Sequence, residues 1–282
     1  MVVTYIFPAF AASLYAIGSM GLKKSMQAGT SAKRVMAVSS IAMAIWACPL
    51  ILLGGEWNGL AALAAIGAGA ALFVGRIFAV KALEVGDLSV VAPLLGMKTV
   101  LVAILSMVFF PFEITTMLLF SALLASGGIA LLQRGPSHKK KGTRKAAFYA
   151  MGASFLFAIT DICVQGSAKA LGVGYFVPLL FLTVALMVPL LGKHPKPTGK
   201  AVKPLYIGSA IMGFQTSAVV LLIGLVGEAT LINVIYSTRA LWSVIVDRIA
   251  GESHIRDYMI YRLCGALMIC GAVILAIITR LL

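Results

Sequence analysis

Ten stretches of about twenty mostly apolar residues follow one another along the chain, at about 3–22, 35–53, 58–80, 88–110, 112–133, 147–168, 174–192, 204–226, 229–250 and 258–280. Roughly 20 apolar residues in a helix are what it takes to cross the hydrocarbon core of a bilayer. The connections are short and leave no room for a separate soluble domain. The expected fold class is therefore an all-α integral membrane protein with ten transmembrane helices. Of the 282 residues 61% are hydrophobic and 11% charged, with mean hydropathy +1.04, whereas a soluble domain carries about 25% charged residues. That excludes an ordinary soluble enzyme, a disordered chain and a nucleic-acid binder. The first stretch lacks a basic leader, so no cleavable signal peptide is expected.

The net charge of +14 is distributed unevenly. Seventeen Lys and Arg fall in the loops after the odd-numbered stretches, among them Lys23, Lys24, Lys33, Arg34, Lys139, Lys140, Lys141, Lys193 and Lys196; the opposite loops hold only Lys169 and Arg280. Basic loops stay cytoplasmic. The expected location is the inner (cytoplasmic) membrane, multi-pass, with both termini extracytoplasmic. The four cysteines (Cys48, Cys163, Cys264, Cys270) lie in apolar stretches without CxxC spacing, which points to reduced thiols.

The chain also repeats itself. Residues 86–113 (GDLSVVAPLLGMKTVLVAILSMVFFPFE) align without gaps on 227–254 (GEATLINVIYSTRALWSVIVDRIAGESH), an offset of 141, half the length. Gly86 meets Gly227, Asp87 meets Glu228 and Lys98 meets Arg239. The organisation expected is a first repeat at 1–134, a basic linker at 135–146 and a second repeat at 147–282. Five crossings per half is an odd number, so consecutive halves enter the membrane from opposite sides. The result is two inverted five-helix repeats around a central cavity, with a substrate site near the midplane between them.

The stretch KALEVGDLSVVAPL (81–94) and its counterpart NVIYSTRALWSVIVDRIAGE (233–252), with five-plus-five spans and this length, resemble the drug/metabolite transporter superfamily, in particular its EamA-like branch. The resemblance implies that helices 1–4 and 6–9 surround a central cavity and that helices 5 and 10 lie outside. It also implies substrate transport. In the branch that carries organophosphates, basic residues on helices 4 and 9 bind the substrate phosphate, and Lys98 and Arg239 are similarly placed.

Ionisable groups inside spans are costly and are functional candidates by default. Four stand out: Arg76, Lys98, Asp161 and Arg239. Lys98 and Arg239 each lie eleven residues past an acidic residue at the helix start, about 16 Å along the helix at 1.5 Å per residue. They are expected to face each other across the cavity and to hold a substrate carboxylate or phosphate. The alternative is internal pairing, with Asp161 neutralising Arg76 or Arg239. Asp161, the one acidic residue deep in a span, is either the group that couples transport to protons or half of a permanent salt bridge. Asn233, Tyr236, Arg239, Ser243 and Asp247 form a polar stripe at helical spacing, and Gln215 is a similar polar residue. Trp46 and Trp242 either line the cavity and stack on a ligand or are core or lipid-facing. Pro93 can kink helix 4 and free carbonyls near the site.

The function expected is secondary-active transport of a small polar metabolite, anionic or zwitterionic, by alternating access. The expected partners are that small molecule, the bilayer and protons as coupling ion, with no cofactor, no metal, no nucleic acid and a monomeric chain. Export of cationic or hydrophobic drugs is the alternative, favoured by Asp161 and the tryptophans and disfavoured by three buried cations. A lipid-headgroup flippase is weaker still. A membrane-embedded enzyme is not expected, since His138, His194 and His254 all lie in loops and no HExxH or GxSxG motif is present.

Overall fold

In a bilayer every backbone polar group must be satisfied within the chain, which favours helices over any open sheet. The computed structural model, which describes residues 2–86, 88–110, 115–133, 143–249 and 259–281, is built that way. The helices are α1 (Val2–Gln27), α2 (Ala32–Ala47), α3 (Gly59–Val85), α4 (Leu88–Gly96), α5 (Lys98–Phe109), α6 (Thr116–Leu132), α7 (Thr143–Leu171), α8 (Val173–Leu186), α9 (Val202–Val226), α10 (Ala229–Tyr236), α11 (Arg239–Ile249) and α12 (Met259–Leu281). Among the described residues nine helical segments are long and apolar enough to cross a membrane, and α6, apolar but only 17 residues, is shorter. Their outer faces carry Ile6, Ile45, Leu63, Phe120 and Leu267 exposed. On a soluble protein such a surface would aggregate; around a multi-pass protein it meets lipid.

Several boundaries differ from those read along the sequence. Stretches 88–110 and 229–250 are each two helices, α4 with α5 and α10 with α11. Stretch 35–53 begins three residues earlier, capped by Ser31 Oγ, which accepts from Arg34 N, and ends in the 3-10 helix Cys48–Leu53. The first turn of α7 takes up residues 143–146, assigned to the linker from composition. His138, Lys139, Lys140 and Lys141, like Asp87 and Glu113, lie outside the described residues.

The element order repeats. The starts of α1 and α7, α2 and α8, α4 and α10, and α5 and α11 are each 141 residues apart. The packing repeats as well. Under that shift the α1–α9 contact becomes α3–α7, α2–α9 becomes α3–α8, and α1–α11 becomes α5–α7, while α6 packs on α12 and α2 on α8. The halves share one core rather than forming two: Ala12, Phe73 and Val102 pack in one cluster with Phe176, Phe181 and Ile223.

Small residues set how close the helices come. A Cβ added to Gly265 on α12 would lie 2.6 Å from Gly128 O and 2.8 Å from Leu132 N on α6; one added to Gly208 would lie 2.9 Å from Gly18 O on α1. These contacts are backbone to backbone, the packing that holds apolar helices together in lipid.

Candidate functional site

The break between α4 and α5 falls at Met97, one turn after Pro93. Met97 N reaches both Pro93 O and Leu94 O at 3.2 Å, a tightened turn. Two freed carbonyls find hydroxyls on neighbouring helices: Ser126 Oγ donates to Gly96 O (3.0 Å) and Ser154 Oγ to Leu94 O (2.7 Å). The break between α10 and α11 has no proline. There Ser237 N reaches Asn233 O and Val234 O, and Ala240 N reaches Ser237 O, again a 3-10 turn within an otherwise helical run. Such mid-helix turns often mark hinges. Removing one freed-carbonyl partner, Ser154→Ala, leaves Leu94 O dependent on the long Met97 bond. It is expected to lower stability by about 1 kcal/mol, read as a lower melting midpoint of the purified protein; an unchanged midpoint would remove Ser154 from the account of the kink.

Lys98 is the first residue of α5 and Arg239 the first of α11. They meet different surroundings. Lys98 Nζ lies 2.7 Å from Asp161 Oδ2 on α7, with side chains 16% and 6% exposed. Asn233 Nδ2 on α10 donates to the same Asp161 oxygen (2.6 Å) and to Ala229 O (2.8 Å). One turn along α7, on the same face, Gln165 Oε1 accepts from Ala229 N at 3.1 Å, satisfying an orphan donor at the start of α10. Lys98 from the first half is thus joined to Asp161 and Asn233 from the second.

The Arg239 guanidinium stacks instead on two tyrosines, its carbon 5.1 Å from the centre of the Tyr15 ring and 4.9 Å from that of Tyr236. The rings meet edge to face at 6.1 Å. Tyr236 Oη donates to Gln215 Oε1 (2.7 Å), and Gln215 Nε2 donates to Thr216 Oγ1 (2.7 Å). Among the described residues no carboxylate forms an ion pair with Arg239. Cation–π contacts contribute only about 0.5–2 kcal/mol and do not replace an ion pair. Asn233 and Tyr236 lie one helical turn apart on α10, so that short helix joins the two clusters.

The four intramembrane charges therefore fall into three groups. The close ion-pair partner of Asp161 is Lys98, a residue that the pairing alternative had not named; Lys98, and not Arg239, forms that pair. Arg76 stands apart and ties α3 to α2: its guanidinium donates to Ser40 Oγ (2.6 Å), Ser39 Oγ (2.5 Å) and Met36 O (3.4 Å). Trp46 is 45% exposed, packed edge-on against Phe214 in a lateral groove, and Trp242 is 40% exposed; neither joins the central clusters. Of the outer stripe residues, Asp247 pairs with Lys23 at 3.4 Å and Ser243 Oγ donates back to Arg239 O. Sequence reasoning missed Tyr15, Gln165, Ser126 and Ser154. Only Gln165 had a legible signal, its position four residues after Asp161.

The described residues contain no His/Cys/Asp/Glu cluster suited to a metal ion, and all four cysteines are free. No protein-family model and no curated protein matches the chain. A protein of known crystal structure superposes with TM-score 0.78 at 16% identity, over 98% of this chain and 96% of that one. The likeness covers nearly the whole of both chains and is one of fold alone.

Proposed function

We propose that this protein is a secondary-active transporter of the drug/metabolite type, not an enzyme. It moves a small anionic or zwitterionic metabolite across the cytoplasmic membrane by alternating access, as a monomer, with ten crossings in two inverted repeats and both termini outside. The observation that carries the reading is the matched pair of helix breaks, α4/α5 and α10/α11, with a cation at the start of each second segment. Broken helices near the midplane at a repeat interface are where transporters of this build hold their substrates. The repeated packing supports the same reading, since two halves with matched contacts have two related arrangements available.

Arg239 is the substrate-binding cation, in no ion pair among the described residues and with a fork suited to a carboxylate or phosphate. Tyr15 and Tyr236 hold the guanidinium flat; Gln215 fixes the Tyr236 hydroxyl. Asp161 is the coupling group. When it takes a proton, the attraction that holds Lys98 is lost and α5 is freed from α7; when the proton leaves, the pair closes again. Asn233 reports that exchange to α10, the helix that also carries Tyr236.

A thermal-shift screen of purified protein against amino acids, carboxylates, sugar phosphates and quaternary amines at millimolar levels tests this. A ligand at 100 times its Kd stabilises by about 2.7 kcal/mol. Anions are expected to raise the midpoint of the wild type and to lose that effect in Arg239→Gln. Stabilisation by quaternary amines alone, equal in both proteins, would overturn the anion site and favour drug export.

A further inference from the structure

An open groove runs between α2 and α9, lined by none of the residues at the helix breaks. α2 and α9 pack along each other, and residues of both line this groove of about 340 Å³. That volume is at the lower end of the roughly 300–1,000 Å³ of small-ligand sites. Its floor is apolar, with Ile41, Ile45 and Trp46 half to two-thirds exposed along it. Its mouth holds Arg34 and His194, beside the exposed Lys33, Lys193 and Lys196.

Two polar atoms in this groove are unpartnered. Arg34 Nε is buried without a hydrogen bond. Ser209 is 1% exposed, and its Oγ has no partner either. That sets Ser209 apart, because buried helical serines elsewhere in the molecule donate back to a carbonyl: Ser39 to Val35, Ser40 to Met36, Ser121 to Met117. A buried hydroxyl left unmade costs about 1–3 kcal/mol, so its survival calls for an occupant that supplies an acceptor.

We infer that this groove binds one anionic phospholipid. The phosphate sits at the mouth, against Arg34 and His194 and close to the N-terminus of α2, whose dipole favours negative charge. Ser209 donates to an ester carbonyl of the glycerol region. One acyl chain lies along Ile41, Ile45 and Trp46. The dimensions agree: Arg34 to Trp46 is twelve residues, about 18 Å of helix, close to the roughly 15 Å of one leaflet's hydrocarbon. A free phosphate would leave the apolar floor unoccupied, and a zwitterionic lipid would leave the cationic mouth half-compensated.

The test uses the full chain purified in detergent, titrated separately with phosphatidylglycerol, phosphatidylcholine and inorganic phosphate while the melting midpoint is followed. Phosphatidylglycerol is expected to raise the midpoint at concentrations at least ten-fold below phosphatidylcholine, with no shift from phosphate up to 10 mM, a chosen ceiling about ten-thousand-fold above a micromolar Kd. Arg34→Gln should lose the ten-fold preference, and Ser209→Leu, which fills the groove, should lose the response to both lipids. A second readout needs no groove variant. In a Trp57→Phe/Trp242→Phe background, phosphatidylglycerol with brominated chains should quench Trp46 more steeply than brominated phosphatidylcholine at the same mole fraction. Equal responses to the two lipids, a preference that survives Arg34→Gln, or a shift reproduced by phosphate alone would each overturn the site. None of these readouts involves Arg239, so the transport proposal stands or falls separately.

Discussion

Asp161→Ala is expected to destabilise the protein by about 3–5 kcal/mol, because it strands the Lys98 ammonium among apolar helices with its ion-pair partner gone. The pair is 2.7 Å apart with both side chains largely buried, so water cannot easily replace the lost partner. The loss should lower the melting midpoint by roughly 6–20 °C, at about 2–4 °C per kcal/mol for domains a little smaller. The double variant Lys98→Met/Asp161→Leu removes both charges at once. It should recover most of that loss, since replacing a buried ion pair with apolar side chains is often neutral or stabilising. Asn233 Nδ2 keeps its bond to Ala229 O in both variants, which confines the difference to the charges. A midpoint for Asp161→Ala within 2 °C of wild type would mean that Lys98 has another way to shed or share its charge. A double variant that is folded, binds anions and yet no longer responds to a proton gradient would place coupling in the pair; one that transports with the gradient as before would leave the pair a structural tie.

Gly265→Ala should cost about 1–3 kcal/mol, the range for overpacking a close-packed site. One added Cβ would stand 2.6 Å from Gly128 O and 2.8 Å from Leu132 N. Both are backbone atoms, so α6 and α12 must separate. The same substitution at Gly67, an exposed glycine of α3 with nothing within 4 Å of the added Cβ, should instead stabilise by up to about 1 kcal/mol through helix propensity. The chemistry of the two changes is identical, and the opposite signs isolate helix packing from helix propensity. The check is the melting midpoint of the two variants in one detergent; equal shifts would mean that the α6–α12 contact is looser than its geometry implies.

The apolar runs were enough to read the helical membrane architecture, because in lipid the backbone has almost no alternative to the helix and length is set by the bilayer. The internal offset of 141 was also legible, and it reappears in the element starts. The shortness of α6 was not, since the apolar stretch at 112–133 reads as a full span while the described helix covers Thr116–Leu132. Nor was the split at Ser237–Thr238, where no proline or glycine announces it. Charged residues in apolar runs could be picked out one at a time as costly, and Lys98, Asp161, Arg239 and Arg76 were.

What sequence alone determined here was the class of structure and the roster of residues too polar for their surroundings, since each depends on local composition and spacing. Which of those residues meet was decided only in three dimensions. Lys98 and Asp161 are 63 residues apart and belong to different halves; Arg239 and Tyr15 are separated by most of the chain. Helical periodicity says which face a side chain occupies but not which helix lies opposite, and here the crossing of α5 with α7 and of α1 with α11 gave the anion to Lys98 and the aromatic rings to Arg239.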